Sequence, residues 1–144
     1  MTTRIDIAEL EPAAYQAMFG LEGYLAKTEL DGALKELVKT RASQINGCAY
    51  CVQMHTEAAR KAGESEKRLY ALAAWRESPL FSSEERAVLS LTEAVTLISH
   101  EGVPEAVYQE ALDVLGESKL AQCVMLIATI NAWNRMAVTT RMQH

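Results

Sequence analysis

Residues 32–63 read GALKELVKTRASQINGCAYCVQMHTEAARKAG, and the architecture follows from them. Leu34, Leu37, Val38, Ala42 and Ile45 recur at helical spacing and form one apolar stripe. Asn46-Gly47 then supplies a C-terminal stop, because glycine tolerates the left-handed backbone that ends many helices. A second helix begins at or near Cys48 and runs to Gly63. The segment is therefore a helical hairpin whose turn lies directly before a Cys-x-x-Cys pair and a histidine.

The same periodicity governs the rest of the chain. After Pro12, AAYQAMFGLEGYLAKT reads as a first helix, weakened by Gly20 and Gly23. Ser65 is placed to cap EKRLYALAAWRE, which stops at Ser78-Pro79. Ser82 with Glu85 has the spacing of a capping box. Pro104 suits the first turn of PEAVYQEALDVL, where its missing N–H costs nothing. A last long helix extends from about Ser118 to near Met142. The expectation is an all-α, single-domain bundle over residues 1–144, with seven helices, or six if the first is broken, and no strand. LAQCVMLIATINAW has few polar positions for solvent, so this helix is either the centre of the bundle or a contact with another copy of the chain.

Composition narrows the function classes. The 144 residues are 49% hydrophobic with a formal net charge of −5, which offers no basic stripe for nucleic-acid phosphates. The opening MTTRIDIAELEP lacks the apolar core of a secretory signal. The most apolar run, CVMLIATINAW, falls short of the ~20 residues that span a bilayer. A cytoplasmic protein is expected, and in a reducing compartment a close cysteine pair points to catalysis or metal binding rather than a permanent staple.

Three of the six cysteines and histidines in the chain fall within residues 48–55. In a helix starting at Cys48, positions 48, 51 and 55 share one face. Helix N-terminal N–H groups and the macrodipole favour a thiolate at Cys48. Cys51 has His55 one turn on, able to accept its proton. The set supplies a thiolate, a base and a second sulfur able to close a disulfide. Helix-terminus physics makes Cys48 the more exposed, lower-pKa nucleophile, whereas the histidine favours Cys51. Zinc is the competing reading, but Cys123, His100 and His144 stand outside any ligand spacing that would complete a four-ligand site. A non-enzymatic redox sensor or an inert pair would carry the same residues.

The pattern Glu36-x11-Cys48-Ala-Tyr-Cys51-x3-His55 resembles the signature of the alkylhydroperoxidase AhpD-like group within the carboxymuconolactone decarboxylase superfamily. The resemblance is strongest over about residues 30–75, and INAWNRMAV is similar to the closing helix of such proteins. It implies an all-helical trimer or hexamer that reduces hydroperoxides. It assigns Cys51 as the sulfur attacked by peroxide, Cys48 as its disulfide partner, His55 as the group holding Cys51 as thiolate, and Glu36 as the end of the relay. An external dithiol, lipoyl-bearing or thioredoxin-like, would restore the thiols, without metal, flavin or haem. A disulfide oxidoreductase that never meets peroxide is the nearest alternative. The decarboxylase branch lacks the paired cysteines, which disfavours lactone decarboxylation.

Two details qualify the resemblance. Tyr50 stands where some members carry histidine, and a phenol with an ordinary pKa near ~10 is a poor base at neutral pH. Counted at ~1.5 Å per residue, Glu36 lies ~15 Å back from the turn and His55 ~10 Å beyond it, so a bridging water is expected between them, with direct contact the alternative if the helices cross at an angle. Elsewhere the expectations are plain. Cys123 is a buried small hydrophobe, and His100 complements a helix C-terminus. His144 is a mobile terminus, and Arg135 pairs with an acidic neighbour. Trp75, Trp133 and the methionines are core or interface, some of them lining a peroxide entry.

Overall fold

A computed structural model of the chain describes residues 4–144. Among them every regular element is helical, as the spacing predicts. In chain order these are α1 (Ile7–Leu10), α2 (Pro12–Ala26), α3 (Gly32–Asn46), α4 (Ala49–Lys61), α5 (Glu66–Ala71), a 3₁₀ segment (Leu72–Glu77), α6 (Ser83–Thr96), α7 (Ile98–Glu101) and α8 (Glu105–Thr140). The expected six or seven helices are therefore eight. The additions, α1 and α7, are single turns, too short for apolar periodicity to reveal. Gly20 and Gly23 do not break α2.

Local signals explain most boundaries. Asp31 caps α3 by accepting from the N–H groups of Ala33 and Leu34, and Ser82 and Glu85 complete the expected capping box on α6. Ser65 caps α5 as predicted, but the helix tightens to 3₁₀ geometry at Leu72, and Ala74 leaves helical backbone altogether (φ −119°, ψ 33°). Pro104 is the N-cap of α8 rather than a residue of its first turn. The two C-terminal helices expected from sequence form one element interrupted at Gly116, whose φ of 77° and ψ of 168° suit only glycine.

The core has two main clusters, and α3 serves both. Leu34 and Val38 pack with Leu25, Val88, Leu91, Leu126 and Ile127 from α2, α6 and α8. Leu37 turns to the other side, against Ala59, Leu72, Trp75 and Leu89. Each large side chain buried in this way is worth roughly 1.5–3 kcal/mol over exposure. Of the predicted stripe, Leu34, Leu37, Val38 and Ala42 are buried and Ile45 is half-buried. Two ionic clasps lock the periphery. Glu93 accepts from Arg41, Trp75 Nε1 and Arg76, and Arg68 binds the carboxylates of both Glu64 and Glu85. No helix among the described residues is long and apolar enough to cross a membrane.

Candidate active site

The site is built at the α3–α4 turn. Gly47 adopts the left-handed conformation (φ 66°, ψ 33°). Its N–H bonds the Gln44 carbonyl at 3.2 Å, and the Cys48 N–H bonds the Ser43 carbonyl at 3.0 Å. This is a Schellman motif, which satisfies the last carbonyls of α3 and fixes the exit path of the chain. Cys48 thereby ends one helix motif and begins the next. It is the N-cap of α4, its Sγ accepting from the Cys51 N–H at 3.2 Å. Asn46 anchors the turn to α8, donating from Nδ2 to Asn131 Oδ1 and Asn134 Oδ1, both at 2.9 Å. Fully buried Asn134 donates in turn to Ser43 Oγ at 3.0 Å.

Cys48 and Cys51 are joined by a disulfide, with a Cα–Cα distance of 5.3 Å. The expectation that Cys48 is the more exposed sulfur is not met. Cys48 is 1% exposed and Cys51 2%, because Ala137 of α8, Tyr50 and Met142 pack over the pair. Helix-end position gives Cys48 its N–H partner but not solvent, since the end of α8 covers this turn.

His55 is buried on the same helix, and its Nδ1 lies 3.0 Å from Glu36 Oε2 of α3. The expected bridging water is therefore replaced by direct contact. Depth counted along the helix axes differs by only roughly 5 Å, and the two side chains span that gap themselves. Against a carboxylate, which only accepts, the ring nitrogen Nδ1 is the donor in this contact. Glu36 Oε1 faces Lys39 Nζ at 3.9 Å, and Lys39 also reaches Glu22 Oε2 at 3.5 Å.

Glu22 was not anticipated from sequence. It projects from α2, accepts from Trp133 Nε1 at 3.0 Å, and lines the same cavity as Cys51, His55 and Tyr50. That cavity has a volume of about 350 Å³. Its walls are largely aromatic and thioether, including Tyr15, Phe19, Met54, Trp133 and Met136. Tyr15 stacks edge-on against Phe19 and Trp133, with ring centroids 5.9 and 5.5 Å apart. Burial, Asp6 and Tyr50 together push the Tyr15 phenol above its ordinary pKa. The one available signal for this wall was the i, i+4 spacing of Tyr15 and Phe19, followed by Glu22, the only acid in α2.

The remaining singled-out residues lie apart from this cluster. Cys123 is fully buried as expected, and burial pushes its thiol up to about 12. Trp75 is core and donates to Glu93. His100 sits in the last turn of α7, consistent with a dipole role. His144 is not free, since its Nδ1 meets Gln53 Oε1 at 2.6 Å. Arg135 finds no acid among the described residues. It donates to the Asn131 carbonyl and Oδ1, the i−4 neighbour on its own helix.

Known proteins resemble this chain at several distances. The model of the carboxymuconolactone decarboxylase family matches residues 12–94. Over 138 residues the chain is 39% identical to YdfG, an uncharacterised protein of Bacillus subtilis, covering 96% of this chain and 94% of that one. A shorter match to the uncharacterised YnjA of Escherichia coli is 40% identical over 72 residues, 49% of this chain and 39% of the relative. A solved structure from Agrobacterium tumefaciens, of unknown function and described as a candidate AhpD antioxidant defence protein, superposes with a TM-score of 0.96. It is 38% identical and is matched over 99% of this chain and 98% of its own. The debrominase Bmp8 shares the fold at 20% identity, with a TM-score of 0.83 over 94% of this chain and 73% of its own.

Proposed function

The chain belongs to the carboxymuconolactone decarboxylase family, and from that premise we propose that it is a thiol-dependent peroxidase reducing hydroperoxides through a Cys48/Cys51 dithiol–disulfide cycle. The observation that carries this reading is that Cys51, bonded to Cys48, and His55, paired with Glu36, line one apolar cavity. In the reduced protein, His55 takes the proton of the Cys51 thiol, and Glu36 steadies the imidazolium. The Cys51 thiolate attacks the terminal peroxide oxygen. The O–O bond breaks, and the leaving alkoxide takes a proton from His55 and departs as the alcohol.

Cys51 is then a sulfenic acid. The Cys48 thiolate attacks its sulfur, the S–O bond breaks, and hydroxide leaves as water after protonation. The net reaction converts hydroperoxide and two thiols into alcohol, water and one disulfide. An external dithiol, lipoyl-bearing or thioredoxin-like, returns the two electrons. No metal, flavin or haem takes part. The Cys51 N–H already directed at Cys48 Sγ supports Cys48 as a stabilised thiolate partner.

The aromatic and thioether walls favour organic hydroperoxides, whose carbon groups they desolvate, over hydrogen peroxide. Tyr50 serves as an accessory hydrogen-bond donor rather than a base. Assembly as a homo-trimer or homo-hexamer in the cytoplasm belongs to the same reading. The outward side chains of Val124 and Met125 on α8, exposed by 38% and 39%, support a contact between copies. A turnover assay with a panel of hydroperoxides and dithiols tests the function. Consumption that requires a dithiol and disappears in both Cys51→Ser and His55→Ala supports it. Consumption by Cys51→Ser at the wild-type rate contradicts it.

A further inference from the structure

The Cys48–Cys51 bond lies between two cavities, and each cavity is lined by only one of the two cysteines. Cys51 lines the aromatic cavity described above. Cys48 lines a second cavity of about 330 Å³, between the start of α4 and the end of α8. Tyr50, Ala137 and Met142 line both and form the partition. We propose that this second cavity binds the reducing dithiol, so that electrons enter at Cys48 from one side while peroxide is handled at Cys51 on the other. The proposal rests on the dithiol cycle above and adds the place where that cycle is reset.

Exchange chemistry favours the same direction. A thiolate attacking a disulfide prefers the sulfur whose partner leaves most easily. Attack on Cys48 expels Cys51, the cysteine that shares a cavity with His55 and can be protonated or held as thiolate there. The cavity suits an anionic attacker. Arg141 lines it, and its guanidinium pairs with no carboxylate among the described residues. Gly47 contributes no side chain to the wall, and Ala49 and Val138 at the rim are both exposed.

A dithiol fits better than two single thiols. The first exchange forms a bond between the reductant and Cys48 Sγ, breaks the Cys48–Cys51 bond and frees Cys51. The resulting mixed disulfide sits on a residue only 1% exposed, where a second molecule has poor access. A second thiol in the same reductant is already at high effective concentration. It attacks its own partner sulfur, releases Cys48 as thiolate and leaves as a cyclic disulfide. Two electrons and the two protons of the reductant pass to the protein thiols.

Val138→Trp and Ala49→Leu test this, because each adds bulk to the second cavity at an exposed position that does not line the first. The probe is dithiothreitol mixed with the isolated disulfide form, with thiol appearance followed in a stopped-flow instrument. Both variants are expected to be reduced about tenfold more slowly than wild type, while oxidation of the prereduced variants by cumene hydroperoxide stays within about twofold. Reduction at the wild-type rate in both variants would overturn the proposal, as would oxidation that slows in step with reduction. The reductive step is read without peroxide. A wild-type protein inert to hydroperoxides would defeat the proposed peroxidase and leave this test of the second cavity standing.

Discussion

His55 of α4 and Glu36 of α3 meet directly, Nδ1 to Oε2 at 3.0 Å, across a hairpin that separates them by 19 residues. The contact holds the imidazole against a carboxylate that Lys39 also faces, on the wall of the cavity that Cys51 lines. If this pair activates Cys51, His55→Ala should slow oxidation of the reduced protein by roughly 10²–10⁴. Glu36→Gln should cause a smaller loss, since the amide oxygen can still accept from Nδ1 but no longer carries charge. Single-turnover rates with one hydroperoxide check both. Equal rates in wild type and His55→Ala would remove the histidine from the mechanism.

Gly47→Ala isolates the turn. A Cβ there meets nothing within 4 Å, so the cost comes from the backbone alone at φ 66°. The expected loss is about 1 kcal/mol of folding stability, read as a lower urea midpoint at unchanged m-value. A neutral result would mean that the Schellman motif is not what holds Cys48 in place.

Cys123 provides an internal control for thiol chemistry. With its thiol pushed up to about 12 by burial and its side chain sealed from solvent, it should resist iodoacetamide in the native state at pH 8 and react on unfolding. Mass spectrometry of labelled peptides checks this. Rapid native labelling of Cys123 would show that the core opens at this position.

The clasp around Glu93 sets an acid limit. Burial alone would raise this carboxyl, but hydrogen bonds from Trp75 and Arg41, with the charges of Arg41 and Arg76, outweigh it and hold Glu93 below its ordinary value near 4.5. Glu85 is lowered in the same way against its own burial, by Arg68 and the Ser82 backbone. A depressed folded pKa means that the unfolded chain binds more protons in this window, so stability rises with pH there. The contribution is complete above about 4.5 and is lost as pH falls through the folded values. Glu93→Gln should lower the urea midpoint at pH 7 and flatten its decline below that point. An unchanged acid limb would contradict the assignment.

Much of this was legible because the signals are local. The α3–α4 hairpin is written in the Leu34–Ala42 stripe and the Asn46-Gly47 stop, and the α6 start in Ser82 and Glu85. The spacing of Cys48, Cys51 and His55 marks the candidate cluster within eight residues. What was missed is tertiary or too short. The turns α1 and α7 carry no full period, and the 3₁₀ break at Leu72 has no glycine or proline to announce it. Glu22 reaches the site from α2 only because Trp133 and Lys39 hold it there. The burial of Cys48 depends on Ala137 and Met142, far away along the chain. Asn131 and Asn134 look like scattered polar residues on an apolar helix until the turn at Asn46 is seen docked on them.

In the proposed cycle Cys51 takes the peroxide oxygen and Cys48 resolves it. Reduced Cys48→Ser protein mixed with one equivalent of cumene hydroperoxide in the presence of dimedone tests it most directly, read by peptide mass spectrometry. The expected result is a sulfenic-acid adduct on Cys51 formed at close to the wild-type oxidation rate, with no further turnover. Absence of that adduct, or an equally fast adduct on Cys48 in the Cys51→Ser protein, would contradict it.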